Sequence, residues 1–328
     1  MDDMLGSILK NSDRILGVTL KDSSNGRELI LDRDGGRGRM VFYTICPGLT
    51  LAFIFVNAGM WPESDANSQL KLLQINYCIS GRSELLLDDG TYIYLQKNDF
   101  AISEQTAQKE YIFPTGKYQG IKIYCDLKLL QSGSGLLEFF NMDLAALRDI
   151  YCKRRKTYLC EADNELKDIF SRLFCLAERP SDFYLKIYTL ELVYRLLGMN
   201  VHPPKSCGFY TETQVELAKR TAKILSDNLH LHIPVRQIAD RFSVSETSLK
   251  NYFRGVYGQN ISTYLREIRM NTAAGLLKNT KRPVAEISEQ VGYSNQGKFA
   301  AVFKQKYGLS PLEYRRVKKL ENESLEDS

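Results

Sequence analysis

Histidine and tryptophan are the scarcest residue types in this chain of 328 residues, which has three His and one Trp. The histidines are His202, His230 and His232, so a histidine-rich metal site in the first 200 residues is excluded. The seven cysteines form no C-x-x-C pair, and their number is odd, which predicts reduced thiols and no disulfide framework. The longest apolar run, residues 49–56, is far shorter than the roughly 20 residues that cross a bilayer. No basic segment precedes an apolar one at the N-terminus, so we expect a cytoplasmic protein. Because histidine is so scarce, we also expect no metal, and we expect no cofactor.

Positive charge is concentrated in one third of the chain. Residues 209–320 contain 19 Lys and Arg against 9 Asp and Glu, a net charge of +10, whereas residues 1–208 have a net charge of −1. The last eight residues, 321–328, contain four acids and no base. A basic segment of this size favours polyanions such as nucleic acid. The alternative is a soluble domain that is merely basic.

The first two-thirds of the chain show the short apolar runs that are typical of antiparallel strands. Five runs rich in Ile, Leu, Tyr and Phe lie between residues 41 and 126, and Asp89-Gly90 between two of them predicts a type I′ hairpin turn. This spacing predicts a small antiparallel barrel or sandwich. Residues 200–208, with two prolines and a glycine, predict a linker.

Between the predicted strands and the linker the pattern becomes helical, over residues 136–198. Its apolar stripe belongs either to the domain core or to a dimer interface. The stripe consists of Phe183, Ile187, Leu190, Tyr194 and Leu197. A basic run at residues 153–156 is interpreted as a solvated helix end or loop.

After the linker the sequence predicts helices throughout, and one pattern occurs twice. Residues 235–245 align with residues 284–294 at an offset of 49, and beyond Ser294 the offset becomes 50. In each copy a short helix, a tight turn, a serine N-cap (Ser245 or Ser294) and a second helix form a helix-turn-helix. The alternative is a plain helical bundle with polar outer faces.

The second helix of each copy has the size and side chains for DNA recognition. A helix about 10–12 Å across enters a major groove about 12 Å wide, and the polar face of its first turns meets base edges. The expected DNA-contacting residues are Ser245, Glu246, Thr247, Lys250, Asn251 and Arg254 in the first copy and Asn295, Gln296, Lys298 and Lys304 in the second. Two copies in a segment of net charge +10 favour DNA binding over the plain bundle.

The same segment resembles a known family. Residues 264–277 (YLREIRMNTAAGLL) resemble the connecting helix of the AraC/XylS family of bacterial transcription regulators, and residues 284–294 (VAEISEQVGYS) and 307–316 (YGLSPLEYRR) resemble that family's signature. The resemblance covers residues 215–319 and implies two helix-turn-helix subdomains joined by that connecting helix.

The chain departs from the family pattern at Ala301, where the family often has arginine, and at the nearby Gly297. Alanine could contact only a thymine methyl group. We therefore expect the second copy to read fewer bases and to depend more on phosphates. The alternative is that it reads none.

The N-terminal region shows a second, more limited resemblance. Residues 75–84 (INYCISGRSE), the Asp89-Gly90 hairpin and the turn at 97–100 resemble the cupin-like sensory barrels, followed by a dimerising helical pair, that precede AraC-type modules. Enzymatic cupins hold a metal with histidines, which this region lacks. The resemblance implies a small ligand in the barrel lumen. The candidate residues are Trp61, Tyr77, Arg82, Tyr92 and Tyr94, for which the alternative is partly exposed strand aromatics and a surface arginine.

These observations predict an α+β protein of two domains, a cupin-like antiparallel β-barrel with a helical extension and an all-α double helix-turn-helix. The predicted boundaries are 1–199 for the sensory domain, 200–208 for the linker, 209–320 for the DNA-binding domain with helix-turn-helix units at 235–256 and 284–306, and 321–328 for an acidic tail. The predicted function is sequence-specific activation of transcription, with promoter DNA, RNA polymerase, a small effector and a second copy of the chain as partners. The alternatives are a barrel-based small-molecule enzyme with a helical appendage and a regulator that acts by protein contact alone.

Overall fold

The computed structural model describes residues 4–9, 15–23, 26–33, 35–62, 71–87, 89–106, 111–131, 135–153, 157–199 and 208–326. Contacts divide the chain into two compact units, Met1–Glu212 and Thr213–Ser328. The predicted linker, except Gly208, and the basic run at 153–156, except Lys153, lie outside the described residues, so the predicted domain boundaries stay predictions. Among the described residues, no helix is long and apolar enough to cross a membrane.

The first unit is built on an antiparallel sheet. Its described strands are β1 (Val18–Ser23), β2 (Gly26–Arg33), β3 (Gly36–Cys46), β4 (Leu49–Ala58), β5 (Met60–Trp61), β6 (Lys71–Leu86), β7 (Tyr92–Gln96), β8 (Asp99–Thr106), β9 (Tyr111–Ile112), β10 (Tyr118–Cys125) and β11 (Thr157–Glu161). The hydrogen-bonded path runs β1-β2-β3-β4-β10-β6-β8-β11, with β7 and β9 on β6 and β5 on β9. The predicted antiparallel β architecture is confirmed. The sheet is open rather than a closed barrel, because β1 and β11 do not pair within the described part of the chain.

Strand β6 joins the two parts of this sheet. The sequence predicted two runs here, but the strand continues through Gly81, whose φ is +84°. Its first half pairs with β10 and β8, and its second half pairs with β7 and β9. A Cβ at Gly81 would collide with the Lys117 carbonyl oxygen, so glycine allows both the turn of the backbone and the close approach of β10.

The hairpin between β6 and β7 differs from the predicted type I′ turn. Gly90 has φ +78°, but its N–H donates to the Leu87 carbonyl oxygen at 2.9 Å, so Asp89 and Gly90 are not the two central residues of a type I′ turn. The Asp89 carboxylate instead accepts hydrogen bonds from the Thr91 N–H at 2.9 Å and the Thr91 hydroxyl at 2.6 Å. This local hydrogen bonding by aspartate stabilises a turn of a different type.

The two faces of the sheet pack against different partners. Val41 and Tyr43 lie on the helix-covered face, which packs against α4 (Leu144–Tyr151), α5 (Asn164–Cys175) and α6 (Asp182–Gly198). Met40 and Phe42, one residue out of phase, lie on what we call the inner face, together with residues of α1 (Met4–Ile8) and of the curled strands. Helices α2 (Leu127–Gln131) and α3 (Gly135–Phe139) lead from β10 toward α4. Strand alternation therefore separates two apolar clusters.

Helix α6 buries a different stripe from the predicted one. Its buried apolar residues include Leu185, Leu190, Leu192, Val193 and Leu196. In the predicted stripe Leu190 is buried, whereas Phe183, Ile187 and Tyr194 are 66%, 39% and 68% exposed. The helix is apolar on several sides, so more than one stripe satisfies the helical spacing, and packing against α4 and α5 selects one of them.

The second unit is all helical, as predicted. Its helices are α7 (Glu212–Asp227), α8 (Val235–Arg241), α9 (Glu246–Tyr257), α10 (Ile261–Asn279), α11 (Val284–Gln290), α12 (Gln296–Tyr307) and α13 (Pro311–Glu326). Helices α8 and α9 form one helix-turn-helix, and α11 and α12 form the other. The side chains of the predicted acidic tail lie outside the description, although α13 extends to Glu326.

The two copies share one aromatic packing arrangement. In the first copy the Phe253 ring centroid lies 4.6 Å from that of Tyr257 and 5.2 Å from that of Tyr264. In the second copy the aligned distances from Phe303 are 4.6 Å and 5.3 Å. Both second helices end at a glycine in the left-handed region, Gly258 with φ +74° and Gly308 with φ +75°. This repeated geometry agrees with the duplication inferred from the offset of 50.

Candidate nucleic-acid interface

Helix α9 presents one polar face beside a fully buried one. Its N-cap is Ser245, whose Oγ accepts the Ser248 N–H at 3.0 Å, as the sequence predicted. Leu249, Phe253 and Val256 are fully buried, which fixes the rotation of the helix about its axis. Burial of this side therefore determines which residues of α9 lie on the opposite, exposed face.

The structure brings the predicted contact residues of the first copy together on that face. Thr247, Lys250, Asn251 and Arg254 are all exposed and recur at spacings of three, one and three, so they form one strip along α9. Ser245 is exposed and Glu246 is half-buried at the start of the strip. A Lys250 Nζ to Glu246 Oε1 ion pair of 2.5 Å links two of these side chains.

The second copy begins its helix one residue later than predicted. The N-cap of α12 is Asn295, whose Oδ1 accepts the Lys298 N–H at 2.8 Å, and not Ser294. The turn between α11 and α12 is five residues long, whereas the turn between α8 and α9 has four. The residue that changes the offset from 49 to 50 therefore lies inside the turn, ahead of the cap.

The corresponding face of α12 has almost no polar side chains. Asn295, Gln296, Lys298 and Lys304 are exposed, as expected of DNA-contacting residues, but they do not lie on one strip. Aligned at the offset of 50, the strip of Thr247, Lys250, Asn251 and Arg254 becomes Gly297, Ala300, Ala301 and Lys304. Gln296 and Lys298 lie 200° apart around the helix, so they flank this strip on different sides. At these four positions the second copy has a single polar side chain, that of Lys304, whereas the first copy has four.

Helix α10 is the rigid connection between the two copies. Its 19 residues span about 28 Å at 1.5 Å per residue. Arg269 in this helix donates hydrogen bonds to the carbonyl oxygens of Leu229 and Leu231, each at 3.0 Å, and so holds the segment that follows α7. Partial burial lowers the pKa of the Arg269 guanidinium from its ordinary value.

The turn of the second copy packs directly on this connection. Gly292 has φ +81°, and a Cβ there would collide with the Leu229 carbonyl oxygen and the Arg269 guanidinium. The aligned residue of the first turn is Ser243, which is exposed and has φ +54°. The close approach of backbone to Arg269 explains why the second turn has glycine.

Known proteins contain regions similar to this helical unit. A family model described as a helix-turn-helix domain matches residues 238–317. The Msm operon regulatory protein of Streptococcus mutans is 27% identical over 177 residues, which cover 48% of this chain and 64% of that protein. The HTH-type transcriptional activator RhaR of Yersinia pseudotuberculosis is 32% identical over 92 residues, which cover 28% of this chain and 32% of that protein. Residues 238–317 therefore form an AraC-type helix-turn-helix domain.

The match lies within the Thr213–Ser328 unit, which we call the AraC-type unit. A solved structure of the C-terminal domain of AraT, a response regulator from Geobacillus stearothermophilus, is 31% identical with a TM-score of 0.30 and covers 31% of this chain and 84% of that one. The chain spans 64% and 32% of the lengths of the two curated relatives named above.

The five predicted ligand-binding residues do not meet in one place. Trp61 is 2% exposed on the inner face. Tyr77 lies on the helix-covered face, where its ring stacks on Phe170 with centroids 3.8 Å apart. The other three lie around β7. Ligand binding by these residues stays a prediction, and Tyr77 and Trp61 cannot contact one molecule on one face of the sheet.

Arg82, Tyr92 and Tyr94 surround the end of the predicted linker. The Tyr92 N–H donates to the Tyr210 carbonyl oxygen at 2.8 Å, and the Tyr210 N–H donates to the Tyr92 carbonyl oxygen at 2.9 Å. The Tyr210 ring lies edge-on to Tyr94 at 5.9 Å, and the Arg82 guanidinium lies over the Tyr94 ring at 5.2 Å. Burial lowers the pKa of Arg82. Sequence reasoning missed Tyr210, which follows the linker without any motif of its own.

A groove of about 750 Å³ is lined by residues of β2, β3 and β4 and of the start of β10. Its lining includes Arg39, Phe55, Lys117 and Gln119, and the Arg39 guanidinium lies over the Phe55 ring at 4.7 Å. None of the five predicted ligand-binding residues lines it. This groove therefore gives no support to the predicted ligand site.

Proposed function

We propose that the protein is a sequence-specific DNA-binding regulator that activates transcription. The observation that carries this proposal is the exposed strip of Thr247, Lys250, Asn251 and Arg254 on α9, held in place by a buried apolar face. Such a strip offers bidentate and charged groups to base edges and phosphates at the same time. The net charge of +10 over residues 209–320 supplies the attraction to the DNA backbone.

In this proposal the two copies have unequal tasks. Helix α9 reads bases, whereas α12, with Gly297, Ala300 and Ala301 on the matching face, positions the protein through Lys304 and its neighbours on phosphates. Helix α10 holds them at a fixed separation, so that they can enter successive major grooves about 34 Å apart along one side of the DNA.

Selection of bound fragments from a genomic DNA library tests this function. We expect enrichment of one sequence class, with strong preferences in the half of the site that α9 contacts and weak preferences in the other half. A protein that acts only by protein contact, or an enzyme built on the sheet unit, would enrich no sequence over bulk DNA at moderate salt. That result would refute the proposal.

The sheet unit is proposed to control the AraC-type unit. Its residues 1–208 have a net charge of −1, so they gain little from the phosphate field and serve another purpose. We propose that a small effector binds there and alters DNA affinity, and that the protein acts in the cytoplasm together with RNA polymerase rather than as an enzyme. The effector must bind two conformations with different affinity, since an equal binder shifts nothing.

Dimerisation is a further part of the proposal. Helix α6 exposes Phe183, Ile187 and Tyr194 along one side, although Leu190 between them is buried. An exposed apolar stripe on a helix is typical of a contact with another helix. A second copy of the chain, paired along α6, would cover it.

The Tyr92–Tyr210 bridge is the proposed route from the sheet unit to DNA binding, because α7 begins two residues after Tyr210. Replacing Tyr210 with proline removes the N–H that bonds to Tyr92. We expect this change to abolish the response of promoter occupancy to cell-extract metabolites, a response of about 5- to 150-fold for a coupling of about 1–3 kcal/mol. Tyr210→Phe keeps both backbone bonds and the ring, and it should respond as the wild type does. A proline variant with a full response would exclude this route.

A further inference from the structure

We propose that the inner face of the sheet binds a small organic carboxylate whose counter-ion is Lys122. This inference rests on the proposed control by an effector and names the chemical class of that effector. It depends on a buried basic side chain that the DNA-binding mechanism does not use. Lys122 is 2% exposed, in the middle of β10.

The direction of Lys122 follows from strand alternation. Its neighbours Ile121 and Ile123 belong to the cluster beneath the helices, so Lys122 points to the opposite, inner face. Its Nζ donates to the Tyr111 hydroxyl at 3.2 Å. The same Nζ lies 4.7 Å from the Tyr111 ring centroid and 4.9 Å from that of Tyr124.

The described contacts of Lys122 are with neutral groups. Within the described residues, no Asp or Glu forms an ion pair with it. Burial raises the pKa of Tyr124 well above its ordinary value, so that hydroxyl stays neutral. An ammonium has three donors, and one phenol oxygen and two ring faces satisfy it only in part. A buried ammonium without an anion is unfavourable, and a bound anion would remove that cost.

Polar side chains surround Lys122 on this otherwise apolar face. Asn76 on β6 lies directly opposite Lys122, and Gln74 lies opposite both Tyr124 on β10 and Ser103 on β8. All three polar residues are buried, at 7%, 3% and 1% exposure. The Ser103 hydroxyl has no hydrogen-bond partner among the described residues, although it is fully buried. Directly opposed side chains lie about 4.5–5.5 Å apart at Cβ, so these groups can converge on one molecule.

The surroundings favour a carboxylate over other anions. One ammonium balances one carboxylate, whereas a phosphate monoester carries about −1.5 to −2 charges. The rest of the inner face is apolar and includes Phe42, Ile54 and Trp61. A molecule with one carboxylate and an apolar body matches both parts, with the carboxylate on Lys122 and hydrogen bonds from Ser103 and Asn76.

Fluorescence of Trp61 gives a direct test in the full chain. Trp61 is the single tryptophan, and it lies in the same inner cluster as the residues around Lys122. The probes are butanoate, octanoate and benzoate, each compared with its uncharged amide in the absence of DNA. We expect at least one carboxylate to change the Trp61 emission in a saturable way and its amide to leave it unchanged.

Lys122→Met supplies the matched variant, because methionine keeps the length and apolar contacts of the side chain without the charge. It should weaken carboxylate binding by about 10- to 100-fold, the loss of one charge-assisted hydrogen bond. Lys117→Met removes the same charge from an exposed position and should bind as the wild type does. Lys122→Met should melt at or above the wild-type temperature, since it removes a buried charge that has no ion-pair partner among the described residues.

Three results would overturn the inference: no carboxylate binds, acid and amide bind equally, or a folded Lys122→Met binds as tightly as the wild type. If that variant does not fold, the contrast between acid and amide in the wild type decides. The proposed effector control is judged separately, by promoter occupancy with cell extract. A response to extract without carboxylate binding would overturn this inference and leave the proposed function standing.

Discussion

Replacing Thr247, Lys250 and Asn251 together with alanine is expected to abolish the sequence preference of the protein while it still binds DNA. The triple variant gives α9 the bare face that α12 already has at Gly297, Ala300 and Ala301. Each lost base contact should cost about 1–3 kcal/mol at its own position, and separate positions add approximately. All three replaced side chains are exposed, so the fold should be retained.

Competition between selected and random DNA, at two salt concentrations, measures this effect. Asn251→Ala alone should lose preference at one base position. Lys304→Ala should instead weaken binding to every sequence alike and reduce the salt slope by about one, as a phosphate contact does. A triple variant that still prefers the selected sequence would show that specificity lies outside α9, and an unequal effect of Lys304→Ala across sequences would assign bases to α12.

Gly292→Ala is expected to unfold the second helix-turn-helix of the AraC-type unit. The left-handed backbone at φ +81° costs a residue with a Cβ about 1–2 kcal/mol. The new Cβ also collides with the Leu229 carbonyl oxygen and with Arg269, which two hydrogen bonds hold in place, and such overpacking costs about 1–3 kcal/mol. The combined loss of about 2–5 kcal/mol is a large part of the stability of a domain.

Hydrogen exchange of the backbone amides locates this effect. In Gly292→Ala the amides of α11 and α12 should lose protection, whereas those of α5 in the other unit should not change. Ser243→Gly is the matched control, because Ser243 is exposed at the aligned position with φ +54°, and glycine there should raise stability by up to about 1 kcal/mol. Unchanged protection of α12 in Gly292→Ala would mean that the turn can shift away from Arg269 at little cost.

The helices of the AraC-type unit were predictable because each has one apolar side. Leu249, Phe253, Phe299 and Phe303 recur at helical spacing, and all four are fully buried. The start of α13 shows the same kind of local signal, a serine followed three residues later by a glutamate: Glu313 accepts the Ser310 N–H at 2.8 Å. Hydrogen bonds from the Ser310 hydroxyl and N–H lower the Glu313 pKa. Helix caps and one-sided burial can be recognised in the sequence, because both depend on the spacing of residues within one helix.

The errors arose where two arrangements fit the same residues. Either Ser294 or Asn295 can cap α12, and only the path of the turn, packed on Arg269, selects Asn295. In α6, several apolar stripes satisfy the helical period, and contact with α4 and α5 decides which is buried. Local pattern alone cannot distinguish alternatives that differ in tertiary contact.

The sequence by itself determined the duplicated helix-turn-helix, its positive charge and the polar strip on α9, because these properties depend on spacing within single helices. Only the tertiary structure decided which side of each strand faces which cluster. Alternation separates Tyr77 from Asn76 and Ile121 from Lys122, but it does not say which of the two sides meets the helices. The side that meets the helices depends on packing between elements that are distant in the chain. This packing places Tyr77 against α5 and Lys122 on the inner face.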